Sequence, residues 1–178
     1  SNGALGMASA RGAFNTSYHF KAGTYVHEMG ILDGGAMALL AGVGPMGLAS
    51  IDYAIHGSRR PALLAVTDID QPRLDRAAAL FTPSHAAEHG VKLRYLNTSS
   101  GDAASMLSDL NGGKGYDDVF IYAPVAALIE QASRLLAFNG CLNFFAGPPT
   151  KDFLAAVNFY DIHYMGHHVV GSSGGNTD

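Results

Sequence analysis

Gly42, Gly44 and Gly47 fall in a GxGxxG arrangement, Gly42-Val43-Gly44-Pro45-Met46-Gly47, between an apolar run and a helical pattern. Such a bend suits the seating of a diphosphate. Gly42 permits the tight turn out of a strand. Gly44 lacks the Cβ that would keep a phosphate off the backbone, and Gly47 lets the next helix pack closely on a sheet. Amides at the helix start, and the positive end of its dipole, would then hold the anion. The same pattern also fits a glycine-rich turn that needs only compact geometry, so a second element has to decide. Asp68 closes the next apolar run, twenty-one residues beyond Gly47. A carboxylate there can accept from both hydroxyls of an adenine ribose, and its charge opposes a 2′-phosphate, which favours NAD over NADP. Arg73 could lie along the ribose or adenine, or accommodate a phosphate. Asp70, followed by Pro72, is expected to cap the next helix.

The elements around these residues must place both at one end of a sheet. Residues 36–41 read as a strand apolar on both faces, and residues 45–56 as a helix with Pro45 in its first turn and Gly57 as its stop. A second strand covers 62–67 and runs into Asp68. A helix over 71–81 follows, then a third strand over 91–96 and a helix over 101–110. The fourth strand is 119–122. A helix from about 125 to 138 is closed by Asn139-Gly140. The fifth strand is 142–146, residues 151–161 suggest a short helix, and the sixth strand at 168–170 enters Gly171-Ser172-Ser173-Gly174-Gly175. This alternation predicts an α/β fold, a doubly wound, six-stranded parallel sheet of the Rossmann kind in the order 3-2-1-4-5-6. In such sheets ligands sit beyond the carboxyl ends of the strands. Tyr122-Ala123-Pro124, Ala146-Gly147 and Gly171-Ser172 occupy those ends. Residues 1–32 read as a leading arm with one partly buried strand around Tyr18–His27, and 33–178 as the dinucleotide-binding domain.

Composition narrows the classes. The 178 residues are 48% hydrophobic and 15% charged, which predicts a folded core and not a disordered tail. The longest apolar runs are far short of the roughly 20 residues that span a bilayer. The formal net charge is −4 with no basic stripe, which argues against a nucleic-acid partner. The single cysteine, Cys141, excludes an intramolecular disulfide and a multi-cysteine zinc site, and points to a reducing cytoplasm. The opening Ser1-Asn2 is of the kind left by tag removal, so a piece of something longer is expected.

The stretches LLAGVGPMGLASIDYA, VTDIDQPRLDRAAAL, YDDVFIYAPVAALIEQA, FNGCLNFFAGPP and HHVVGSSGG resemble the coenzyme domain of the medium-chain dehydrogenase/reductase superfamily, zinc alcohol dehydrogenase type. The wording YVHEMGILDGGAMALLAGVGPMGL resembles the L-sorbose 1-phosphate reductase branch in particular. The resemblance implies an NAD(P)-dependent oxidoreductase acting on a polyol or sugar phosphate. It implies that Gly42, Gly44, Pro45 and Gly47 hold the pyrophosphate and that Met46 presses on the nicotinamide. Asp68 and Arg73 would stand at the ribose, and Ala123, Ala146 and Gly147 on the nicotinamide side. Family members often carry glycine where Pro45 stands, so one phosphate contact is lost here. The family's catalytic zinc is held in a separate, preceding domain. Cys141 lies in the fifth strand and is expected to be inert, and His27-Glu28 matches neither the family's Gly-His-Glu nor HExxH. The implication is a chain that binds dinucleotide, holds no zinc of its own and catalyses nothing alone. By the same analogy the sixth strand is a candidate for pairing in a homodimer.

Rival chemistries fare less well. His163, His167 and His168 form a loose cluster, but neighbours on a strand point to opposite faces and make a poor metal site. No Tyr-x-x-x-Lys pair or G-K-[ST] P-loop is present. An S-adenosylmethionine-dependent methyltransferase also places a glycine turn after strand one and an acid after strand two. A non-catalytic nucleotide-sensing module would share the same bend.

Overall fold

Ala36-Met37-Ala38-Leu39-Leu40 carries no polar side chain to send to water, and it forms a central strand buried on both faces. The computed structural model describes residues 2–172. The glycine- and serine-rich stretch from Ser173, which the sixth strand was expected to enter, lies outside the described residues. In chain order the elements are α1 (Asn2–Thr16), β1 (Tyr18–Phe20), β2 (His27–Met29), β3 (Ala36–Leu40), α2 (Pro45–His56), β4 (Leu63–Asp68), α3 (Gln71–Leu80) and α4 (Pro83–Glu88). They continue as β5 (Lys92–Asn97), α5 (Ala103–Leu110), β6 (Tyr116–Ile121), α6 (Ala126–Leu135), β7 (Leu136–Phe144), α7 (Phe159–Tyr164) and β8 (His168–Gly171).

Six strands form one parallel sheet in the order β5-β4-β3-β6-β7-β8, and β1 pairs with β2 as a separate antiparallel hairpin. The six correspond in sequence to the expected order 3-2-1-4-5-6. Alternation along β3 builds the two layers. Met37 and Leu39 join a core made with α1 to α4, whereas Ala38 and Leu40 join one made with α5 and α6. The doubly wound architecture therefore follows from a strand whose odd and even positions are both apolar.

Three local expectations are corrected. The helix expected to reach residue 138 ends at Leu135, and Leu136 already has extended dihedrals. The chain passes straight into β7, whose pairing with β6 shifts register between Tyr116 and Asp118. Asn139 sits at φ 62 inside this irregularity, not beyond a helix end. Its side chain accepts from the Phe20 amide at 2.8 Å, donates to the Phe20 carbonyl at 3.0 Å, and accepts from His168 Nε2 at 2.8 Å. The Asn-Gly pair thus kinks a strand and anchors the β1–β2 hairpin, which is why its helix-stop signal misled.

The expected helix over 151–161 begins only at Phe159, where Asn158 Oδ1 accepts from the Tyr160 amide at 2.9 Å. Before it, Phe153 stacks on Phe144 with ring centroids 5.8 Å apart.

The leading arm is not a lone strand. It contains the fifteen-residue α1, whose Ala10, Ala13 and Phe14 are buried. Phe14 packs on Phe120 of β6 and on Tyr53 of α2, with centroids 4.8 and 5.4 Å away. Asn143 of β7 donates through Nδ2 to the Ala13 carbonyl at 3.0 Å. Among the described residues, no helix is long and apolar enough to cross a membrane.

Candidate functional site

β3 ends at Leu40, and Ala41 turns the chain at φ 55 into the glycine bend. The Gly42 amide donates to the Thr67 carbonyl at 2.9 Å, which binds the bend to the end of β4. A Cβ on Gly42 would lie 2.7 Å from that of Leu39, and one on Gly47 would run into the backbone carbonyl of Gly42. A Cβ on Gly44, in contrast, would meet nothing within 4 Å. Gly42 and Gly47 are therefore required by packing, while Gly44 leaves clear space in front of the bend.

That space lies at the start of α2. Gly44 is the N-cap, in extended conformation, and no side chain caps the helix. The first turn contains no acidic residue, and Pro45 occupies its opening. Amides in a first turn have no acceptor within their own helix. The helix dipole adds positive potential at the same point, so the arrangement fits an anion. Pro45 contributes no N–H to it.

Asp68 ends β4 beside this bend and is only 8% exposed. Its Oδ1 accepts from the amides of Ile69 and Asp70 at 2.9 and 3.1 Å, which fixes the carboxylate in a tight turn. Asp70 caps α3, accepting from the Arg73 amide at 3.0 Å, as its sequence context predicts. The Arg73 guanidinium leans on the same Asp70, with Nε 3.6 Å from Oδ2. Arg73 thus stands on the first turn of α3 paired with the cap and largely exposed.

The other expected residues gather at the carboxyl ends of β6 and β7. The amides of Phe145 and Ala146 both donate to the Ile121 carbonyl at 3.1 Å, which brings Ala146-Gly147 next to Tyr122-Ala123-Pro124. Met46, Ala123 and Ala146 are half-buried, and Pro124 and Gly147 are exposed. Tyr122 is half-buried. Its hydroxyl donates to Ser50 Oγ on α2 at 2.6 Å, and its ring packs on Phe145. Burial holds this phenol far above its usual range. The Tyr122 side chain is a strut between sheet and helix.

Cys141 is buried within β7, and loss of hydration pushes its thiol up to about 12, as expected of an inert core thiol. Glu28 of the His27-Glu28 pair is bound by Arg59, Nη2 to Oε1 at 2.8 Å.

Comparison with known proteins fits this geometry. No family model matches the chain. It is 51% identical to a mannitol-1-phosphate 5-dehydrogenase of Aliivibrio fischeri over 172 residues, 96% of this chain and 41% of that protein. It is 48% identical to an L-sorbose 1-phosphate reductase of Klebsiella pneumoniae over 167 residues, 94% of this chain and 40% of that protein. Over nearly its whole length the chain is similar to part of these sugar-phosphate dehydrogenases and reductases. It spans about two fifths of the length of these relatives. The fold agrees. A zinc-binding dehydrogenase of Sinorhizobium meliloti 1021, solved bound to NADP, superposes with a TM-score of 0.67 at 20% identity, covering 94% of this chain and 42% of the other. The match to the relatives extends over so much of the chain that most of residues 1–32 lies within it.

Two groups escaped the sequence reading. His19 of β1 meets Asp118 of β6, Nε2 to Oδ1 at 3.0 Å, in a buried pair. Burial alone would lower this histidine, but the hydrogen bond and charge of Asp118 outweigh it and raise it. The pair spans ninety-nine positions, so no local signal marks it. The second group is His56, His85 and His89. The spacing of four between His85 and His89 was the available signal. His163, His167 and His168 do not form a comparable set among the described residues, since His168 is committed to Asn139.

Proposed function

We propose that this chain is the nucleotide-binding part of an oxidoreductase that interconverts a polyol or sugar phosphate with its carbonyl counterpart, using NAD(H). One observation carries the reading. An uncapped helix start, with open space over Gly44, stands beside a carboxylate fixed at the end of the neighbouring strand. The bend fits a diphosphate, and Asp68 fits the diol of a ribose. A nicotinamide dinucleotide, when bound, supplies or accepts the hydride.

The residues of this chain bind and orient. Amides at Gly44, Met46 and Gly47 hold the diphosphate, and Pro45 keeps the helix start in place without donating. Asp68 accepts from the ribose hydroxyls, which favours NAD over NADP. Arg73 is close enough in sequence to swing from Asp70 towards the adenine. Met46, Ala123, Pro124, Ala146 and Gly147 offer small or apolar surface and bare backbone to the nicotinamide end. Residues 33–178 would form this nucleotide domain, with residues 1–32 leading in from the part that holds the catalytic zinc and most substrate contacts. The relatives named for mannitol 1-phosphate and L-sorbose 1-phosphate support a phosphorylated polyol or ketose as substrate. β8, at the sheet edge with Val169 exposed, is the proposed pairing strand of a homodimer in the cytoplasm.

Titration of the chain with NADH, followed by nicotinamide fluorescence, tests this. We expect saturation at one equivalent, displacement by NAD⁺ and none by S-adenosylmethionine. We also expect no oxidation of NADH on addition of L-sorbose 1-phosphate. Binding of S-adenosylmethionine in place of NADH would overturn the dinucleotide reading. Turnover by this chain alone would overturn its assignment as the cofactor part only.

A further inference from the structure

His56 is the last residue of α2, at the opposite end from the glycine bend, about 16 Å away along the helix axis. His85 lies in α4, and His89 is its C-cap, one helical turn further on. The i, i+4 spacing puts these two rings on one side of the short helix. Packing of α4 beside α2 brings His56 to the same point. The Nε2 atoms of His56 and His85 are 3.0 Å apart, and one ligand nitrogen from each of the three rings falls within 4.8 Å of the others. In a tetrahedral zinc site, Zn–N bonds of about 2.0–2.1 Å separate the nitrogens by about 3.3 Å. Small rotamer shifts therefore close the triangle.

The surroundings are those of a metal site. His56 Nδ1 is 2.8 Å from Asp52 Oδ1, and His85 Nδ1 is 3.5 Å from Glu88 Oε2. The Asp52 carboxylate selects the tautomer of His56 with a proton on Nδ1 and a lone pair on Nε2. This is the carboxylate–histidine arrangement that orients imidazole ligands and raises their basicity. The lone pair on His56 Nε2 points at His85 Nε2, 3.0 Å away. A cation between them would take a lone pair from each ring, and the negative end of the α2 dipole at His56 favours it. The cluster is partly exposed, so a water can fill a fourth position.

We propose that His56, His85 and His89 bind one divalent transition metal ion, zinc by preference for three imidazoles and a water in tetrahedral geometry. The site pins α4 to the end of α2 and is structural. It shares no residue with the glycine bend.

The test uses the chain stripped with a chelator and titrated with Co²⁺, whose visible bands are intense in a tetrahedral site and faint in the hydrated ion. We expect tetrahedral bands that saturate at one equivalent and bleach on adding one equivalent of Zn²⁺. His85→Asn and His89→Asn should each weaken Zn²⁺ binding at least tenfold against a chromophoric chelator. Asp52→Asn should weaken it about tenfold or more. Zinc should raise the melting temperature of the parent chain and not that of the His85→Asn/His89→Asn double variant. A spectrum that stays octahedral in the parent chain would overturn the site. So would unchanged affinity in the double variant, which would place the metal elsewhere.

Discussion

The Gly42 amide donates to the Thr67 carbonyl across 2.9 Å, so the glycine bend and the carboxylate of Asp68, one residue further on, are fixed to each other through backbone alone. Their separation is set by the pairing of β3 with β4, in which Leu39 faces Val66.

Gly47→Ala tests the bend. The added methyl would collide with the carbonyl of Gly42. Either α2 moves off the sheet or the bend opens, and both displace the amides at the helix start. We expect NADH affinity to fall more than tenfold, with a melting temperature lowered by several degrees. Binding at parental affinity would show that the bend does not seat the cofactor.

Asp68→Asn tests the ribose contact. The carboxylate is held by backbone amides of Ile69 and Asp70, which an amide oxygen also satisfies, so the fold should survive. Charged acceptors contribute about 1.5–3 kcal/mol to a hydrogen bond. NADH affinity should drop by roughly ten- to a hundredfold on that basis, since 1.4 kcal/mol is about tenfold. Removal of the charge should also raise affinity for NADPH, read in the same titration. An unchanged NADH to NADPH ratio would remove Asp68 from the site.

Tyr122→Phe should separate packing from binding. The phenol hydroxyl donates to Ser50 Oγ, which itself donates to the Met46 carbonyl at 2.9 Å. Loss of one such bond costs about 1 kcal/mol. Chemical denaturation should report that loss, with NADH affinity within twofold of the parent. A large drop in affinity at unchanged stability would place Tyr122 in the cofactor wall.

Acid should weaken the attachment of the β1–β2 hairpin. Burial, followed by the charges of His19, His27 and His167, lowers His168 from its ordinary value to about 4. The folded state then resists a proton that the unfolded chain accepts below about pH 6.5. Stability is therefore present above that pH and is lost as pH falls towards 4. His19 runs the other way, with a raised value, so its contribution is complete below the ordinary histidine value and fades at higher pH. The His168 effect should amount to on the order of 1–2 kcal/mol between pH 7 and 5, seen as a falling denaturation midpoint. His168→Gln should flatten that slope, and an equally steep slope in the variant would assign the effect to other groups.

The middle of the sheet was legible in the sequence because β3 and β4 are short apolar runs bounded by glycine, proline or aspartate. The cap Asp70 and the helix start at Pro45 were legible for a similar reason, since each signal lies within four residues of its effect. Asn139-Gly140 misled because a left-handed asparagine can end a helix or kink a strand, and the choice depends on Phe20, more than a hundred residues away. α1 was not readable at all. Its apolar residues are mostly alanine and glycine and outline no single stripe, and its burial depends on Tyr53 and Phe120 from distant elements. In the candidate site, glycine spacing reported the bend. The bond from the Tyr122 hydroxyl to Ser50 was not legible, because no spacing rule connects the two.

Phe14 is wedged between Tyr53 and Phe120, and this governs how the molecule can be dissected. A truncation beginning at Gly34 would keep every strand of the large sheet yet unroof it. The exposed apolar trough over Phe120 would invite self-association, so the smallest well-behaved unit has to retain α1.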